Sequence, residues 1–283
     1  MESIGNAIGV ILKRPFIIIF WAILMLICTV AGYILPVFRT LFQLNTISGS
    51  NPFETIMSFI QLVYSYMLDI KVVIIAAVVL LLVLLSIAVI SGALISGYFF
   101  KLNNAVNKKA GKKGELSHGV RQYFNKITLM NFVLLATGLI ILIIIVVASV
   151  PALVITRASA GKGRDMLPAV LFVDVLTGVV LFFGLMFYRI YTFFWYPAAM
   201  NNEKRPFRQS KRIANNNFWR IVSVFVVFDI VYIISQIFFV KLDDNIILLL
   251  AKWAFSSVFY AVYTTYIFAA YRKYSDNNPE SLQ

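Results

Sequence analysis

Apolar residues in this chain come in long unbroken runs, and the polar residues between them gather in short, mostly cationic stretches. Six runs, at 16–37, 72–100, 127–155, 168–200, 218–240 and 246–270, each reach the roughly 20 residues that a helix needs to cross about 30 Å of hydrocarbon. They are continuously apolar and do not alternate at every second residue. This selects α-helices over a membrane β-barrel, because lipid offers backbone amides no partner outside the segment itself. The pattern predicts an all-α, polytopic membrane bundle of six transmembrane helices over residues 1–271, with a polar cytoplasmic tail at 272–283.

Shorter amphipathic elements lie between the spans. Ile4, Ile8, Ile11 and Leu12 recur at helical spacing before Lys13-Arg14-Pro15, as expected of a helix lying along the membrane surface. Similar basic segments start at His118 (HGVRQYFNKI) and Gln209 (QSKRIANNNF), so each odd-numbered span is preceded by a cytoplasmic interfacial elbow helix. The chain then reads as three hairpins, a repeat of the kind found in transporter folds. The plainer reading, given slightly more weight, is that any helix entering a bilayer from its basic side has this look. One outer amphipathic helix is expected from Asn51-Pro52, with Glu54 completing a capping box and Phe53, Ile56, Met57, Ile60, Val63, Tyr64 and Met67 forming one apolar face. In the second span Ala88, Gly92 and Ser96 form a small-residue face that lets a neighbouring helix approach closely.

Composition adds to this picture. Of 283 residues, 61% are hydrophobic and 13% charged, where a soluble domain is nearer one-half apolar. The formal charge of +13 would point to nucleic acid in a soluble protein, but here the cations collect in particular loops, so no nucleic-acid partner is expected. Lys13-Arg14, seven residues within 101–126, six within 204–220 and Arg272-Lys273 account for most of the 25 Lys and Arg. The positive-inside rule then places both termini in the cytoplasm, in a multi-pass protein of the cell membrane. Lys108, Lys109, Lys112, Lys113, Lys204, Arg205, Arg208, Lys211 and Arg212 are the expected contacts to anionic lipid headgroups. The single cysteine, Cys28, excludes an internal disulfide and reads as a small core residue. The first span is too long for a signal peptide and has no small-residue cleavage site.

Ionisable residues inside spans are costly and need a partner or a purpose. Arg189 lies twelve residues before Asn201, and Asp229 lies twelve after Asn217. Both therefore sit about 18 Å from the cytoplasmic edge on neighbouring spans, which predicts an Arg189–Asp229 ion pair. The same counting places Asp174 and Lys252 about 10 Å below the outer edge, as a second expected pair. The structural interpretation is that these pairs fix how the last three spans assemble. The functional interpretation is a polar path that Asn131, Tyr188, Tyr191 and Gln236 would help to line.

Other chemistry is sparse. The only histidine, His118, supports neither a metal site nor a catalytic triad. The sequences Gly111-Lys112-Lys113-Gly114 and Gly161-Lys162-Gly163-Arg164 lack the spacing of a nucleotide-binding loop. The aromatics from Tyr191 to Tyr196 read as an interfacial belt. No cofactor and no enzymatic activity are expected.

The run PFRQSKRIANNNFWRIVSVFVVF, Pro206 to Phe228, carries Pro206, Phe207, Ser210 in mid-helix, and Asn217-Phe218-Trp219 entering the fifth span. It resembles the corresponding element of the membrane domain attached to some glycerophosphodiester phosphodiesterases and of related uncharacterised six-span archaeal and bacterial proteins. The resemblance covers about twenty residues well and the six-span layout loosely. It implies that fold. The phosphodiesterase domain itself is missing from this sequence, so hydrolase activity does not carry over. The expected function is that of a non-enzymatic scaffold that binds lipid or a membrane-protein partner, with a small transporter or permease as the alternative.

Overall fold

The computed structural model describes residues 2–34, 70–109, 111, 113–159, 167–201, 203, 205–240 and 246–276. Its described residues form helices α1 (Glu2–Lys13), α2 (Phe16–Ile34), α3 (Ile70–Val106), α4 (Glu115–Ser159), α5 (Leu167–Phe193), α6 (Trp195–Met200), α7 (Pro206–Asn216), α8 (Phe218–Val240) and α9 (Ile246–Asp276). Four of them are long and apolar enough to cross a membrane, or five if the bent pair α1–α2 is taken as one span. The expected outer amphipathic helix, Lys112, Lys204 and residues 277–283 lie outside the described residues.

Two breaks shape the basic end. Between α1 and α2 the axis turns by 89°, because Arg14 precedes Pro15 and is thereby pushed out of the helical region. Between α7 and α8, Asn217 interrupts the helix, and its Nδ2 donates back to the carbonyl of Ile213. The basic segment from His118 behaves differently from the expected elbow. It forms the first turns of α4, which runs unbroken through 45 residues, about 68 Å at 1.5 Å per residue. No proline stands in these first turns to break them off, and Pro151, much later in the helix, does not end it. The hairpin α3–α4 therefore continues well beyond the thickness of a bilayer.

The core lies at the basic end. One cluster joins Met186, Ile190 and Phe194 of α5 and its continuation to Ile213 of α7, Ile221 and Phe225 of α8, and Tyr266 and Tyr271 of α9. A second joins Ile11 and Ile17 to Tyr98 and Leu102 of α3, Tyr123 and Ile127 of α4, and Phe268 of α9. At the other end, long runs of α3, α4, α5 and α8 expose their aliphatic side chains in all directions, among them Ile74, Val79, Ile143, Val147, Val175 and Ile234. Exposed apolar surface on this scale marks a lipid-facing region.

α9 is the hub, packing against α1, α2, α3, α6, α7 and α8. Its buried stretch from Tyr263 to Tyr271 includes Thr264 and Thr265. These polar residues explain why α9 is absent from the four or five span candidates: this stretch is surrounded by protein, and the hydroxyls of Thr264 and Thr265 bond within the bundle. Three readings of the sequence need correction. Cys28 faces outward from α2. Within the aromatic run, Phe194 is fully buried and Tyr196 reaches inward, so the run is not a surface belt. The tail begins later than Arg272, since α9 continues to Asp276.

Candidate functional site

Arg189 on α5 and Asp229 on α8 meet at 2.6 Å, between Nη1 and Oδ2. A third member comes from α9: Nη2 of Arg189 donates to the Tyr263 hydroxyl at 2.7 Å. The guanidinium also lies over the Phe225 ring, 5.2 Å from its centroid, with the rings of Phe193 and Tyr263 beside it. Cation–π attraction adds to the ion pair in such a cage. The side chains of Arg189 and Asp229 keep 23% and 32% of their surface, so the pair sits at the edge of the core, where an unpaired charge would face hydrocarbon.

The other intramembrane charges are not brought together. Asp174 is exposed on α5 and Lys252 is half-buried on α9. The ion pairs Arg189–Asp229 and Arg272–Asp276 involve neither of them, and no ion pair joins Asp174 to Lys252 among the described residues. Counting residues fixes depth, but pairing also requires adjacent helices. At the level of Arg189 the side chain of Tyr263 brings α9 to α5, whereas Asp174 lies fifteen residues away along α5, at an exposed position.

The residues expected to line a path are engaged as follows, Asn131 and Tyr188 bonding one turn apart on α4. Asn131 is buried, donating to Ser91 Oγ at 2.8 Å and accepting from the Tyr196 hydroxyl at 2.7 Å. Tyr188 donates to the Leu134 carbonyl at 2.6 Å, and Tyr191 donates to Asn215 Oδ1 at 2.6 Å. Gln236 has a buried Nε2 with no acceptor among the described residues. Asn131 ties α4 to α3 and α6, and Tyr188 and Tyr191 tie α5 to α4 and α7.

Three arrangements carried no signal that sequence reasoning weighed. Trp21 Nε1 is shared between the Tyr98 hydroxyl at 3.0 Å and Thr264 Oγ1 at 3.2 Å, which ties α2, α3 and α9 together. Tyr98 also stacks on Phe20, with centroids 4.0 Å apart. Second, a cleft of about 640 Å³ at the basic end is lined by Asn103, Asn104, Glu115, His118, Tyr123 and Asn201. Glu115 is the single acid of the 101–126 stretch and is buried; its Oε1 accepts from Asn104 at 3.4 Å, while Oε2 has no partner among the described residues. Third, a larger cleft of about 850 Å³ lies between α1, the end of α3 and the end of α9. In the link between α6 and α7, burial pushes the Glu203 carboxyl above its ordinary value against the opposing pull of Lys126. Burial likewise lowers Lys126, whose ammonium donates to the Ala199 carbonyl at 3.0 Å.

Of the residues expected at anionic headgroups, Lys108, Lys109, Lys113, Arg205, Arg208, Lys211 and Arg212 are all exposed at this end. No group of three or more His, Cys, Asp or Glu that could hold a metal occurs among the described residues.

Fold and site together define the class: an all-helical protein with the apolar helices of a multi-pass membrane protein, held together at one end by polar and aromatic contacts. No family model matches the chain, and comparisons with curated proteins and with solved structures find no match.

Proposed function

We propose that this chain is a non-enzymatic scaffold of the cytoplasmic membrane that binds anionic lipid and a membrane-protein partner. In this reading six helices cross the bilayer, α9 being the sixth, and both termini are cytoplasmic. α1 and α7 lie as elbows along the inner surface. The short likeness of Pro206–Phe228 to the membrane domain of certain phosphodiesterases agrees with that layout and lends no activity.

The observation that carries the reading is the closure of the Arg189–Asp229–Tyr263 cluster. A transport path needs polar groups free to exchange partners with a solute, whereas here the guanidinium is held by a carboxylate, a hydroxyl and aromatic faces on three helices. The test is a thermodynamic cycle in detergent micelles. Arg189→Leu alone leaves Asp229 without its cation and should cost about 3 kcal/mol. Arg189→Leu with Asp229→Leu should recover most of that loss, to within about 1 kcal/mol of the parent. A double variant as unstable as the single one would sink the scaffold role of the pair. Topology is tested separately in a Cys28→Ser background. Cysteines at Ser275 and Lys211 should resist a membrane-impermeant maleimide on intact cells, and labelling of either would overturn the orientation.

A further inference from the structure

The larger basic-end cleft is lined by the side chains of Lys13, Arg14, Lys108, Arg272 and Lys273, with Asp276 as the one acid among them. The five cations come from the two ends of the described chain and the middle, so folding alone gathers them. Their charges are not simply spent on each other. Arg14 donates to the Lys109 carbonyl and Arg272 to the Val106 carbonyl, and these two bonds hold the end of α3 against α1 and α9. Arg272 Nε also faces Asp276 at 3.7 Å, while the Lys13 and Lys108 ammoniums are given no acceptor by these bonds among the described residues.

Two further observations mark the cleft as built to receive something. Lys108 has φ +56°, and among the described residues it is the only non-glycine with positive φ. It terminates α3 in the left-handed conformation, with Lys109 N–H returning to the Asn104 carbonyl at 2.9 Å. Glycine is the favoured residue at such a helix end, and a lysine there carries strain in exchange for a cation at that point. On the opposite wall α1 presents Gly5 and Gly9, where an added Cβ would meet no atom within 4 Å. That wall is bare and leaves the volume open.

We propose that this cleft binds the phosphate of an anionic ligand, with Lys108 and Lys13 as its principal cations. Five donors of positive charge around about 850 Å³ suit a phosphodiester or phosphomonoester headgroup, whose several oxygens can accept from ammonium and guanidinium at once. The proposal rests on the membrane reading above for one point: the α1–α2 corner puts the cleft at the depth where lipid phosphates lie. A lipid headgroup and a soluble phosphate ester share the chemistry, and the experiment separates them.

Phosphatidylglycerol, phosphatidylcholine and glycerol phosphate are titrated against the full chain in neutral detergent, with bound species read by native mass spectrometry and melting temperature followed in parallel. The parent should retain phosphatidylglycerol over phosphatidylcholine. Lys108→Gly should melt at an equal or higher temperature, because the strain is relieved, yet bind phosphatidylglycerol about tenfold more weakly. Adding Lys13→Gln should bring the loss to roughly 100-fold, at about one factor of ten per surface cation. Gly9→Phe fills the cleft without changing charge and should weaken binding as strongly as Lys108→Gly. Arg121→Gln with Arg220→Gln, an equal charge loss at exposed positions outside the cleft, should bind as the parent does.

Parent-like binding by both Lys108→Gly and Gly9→Phe overturns the site. So does a loss in the Arg121→Gln, Arg220→Gln control as large as in the Lys13→Gln, Lys108→Gly pair, since attraction would then be diffuse. Displacement of the lipid by equimolar glycerol phosphate upholds the cleft and assigns it to a soluble phosphate ester. If the Ser275 cysteine is labelled from outside while these binding differences persist, the membrane orientation fails and the cleft stands.

Discussion

The two ends of this bundle are made of similar helices and held by different forces. At the basic end, side chains from several helices interdigitate around α9, and buried Asn, Thr, Tyr and Trp find partners on other helices. At the opposite end, α3, α4, α5 and α8 are dominated by Val, Ile, Leu and Phe with no strongly preferred face, and many of those side chains remain exposed. In water such a surface would collapse. In lipid it has no reason to, because the tails are as apolar as leucine and helix association depends on close packing and polar contacts. The basic end has both of these.

The sharpest way to break that comparison is with glycine. Gly97 on α3 and Gly119 on α4 face each other so closely that an added Cβ would come within 2.7 Å of the Leu116 carbonyl oxygen in the first case and 2.6 Å of Phe100 Cβ in the second. Gly178 and Gly184 on α5 have nothing within 4 Å. Gly97→Leu and Gly119→Leu should each cost at least about 3 kcal/mol or abolish the folded monomer. Gly178→Leu and Gly184→Leu should stay within about 0.5 kcal/mol. Thermal unfolding in detergent, followed by size-exclusion recovery, measures all four, and tolerance at Gly97 would mean that the hairpin is not tight.

Polar bonds give the next effect. Asn131→Leu strands the Tyr196 hydroxyl and Ser91 and should cost about 2 kcal/mol, whereas Ile143→Ala, on the exposed part of the same helix, should cost well under 1 kcal/mol in micelles. Tyr263→Phe removes one acceptor from Arg189 but leaves the Asp229 contact, so its cost should be about 1 kcal/mol, clearly below that of Arg189→Leu. Equal costs for the two would place the hydroxyl, and not the carboxylate, at the centre of the cluster.

What could be read in the sequence follows the same division. The apolar runs announce long helices, and twelve-residue offsets on either side of a short link put Arg189 and Asp229 at one depth on adjacent helices. The structure does join them. The identical arithmetic failed for Asp174 and Lys252, because axial rise gives depth while neighbourhood depends on the order in which helices pack. Tyr263 was hidden for a related reason: once α9 is known to continue to Asp276, counting back puts it at the depth of the ion pair. The aliphatic halves contain no facial pattern, so nothing there could specify contacts. Arg14, Lys108 and Arg272 are far apart in sequence, and their convergence needs the turn at Pro15 and the full length of α9.

The smallest expected effect tests whether the basic end stores an electrostatic conflict. Glu203 is drawn in two directions, with burial raising its pKa and Lys126 lowering it, and burial wins. A carboxyl that is harder to ionise when folded than when unfolded binds more protons in the folded state. Between its ordinary value near 4.5 and its raised value, stability must therefore fall as pH rises. The favourable contribution is complete below pH 4.5 and gone above the raised value, so at pH 7 the charged group is a net cost. Glu203→Gln should then melt slightly above the parent at pH 7, by less than about 1 kcal/mol because the group is half exposed and screened. That advantage should vanish as pH falls through 4.5. Lys126→Met in the parent should widen the window, since the one term that opposes burial is removed. If Glu203→Gln instead lowers stability at pH 7 and the deficit disappears in acid, attraction to Lys126 outweighs burial.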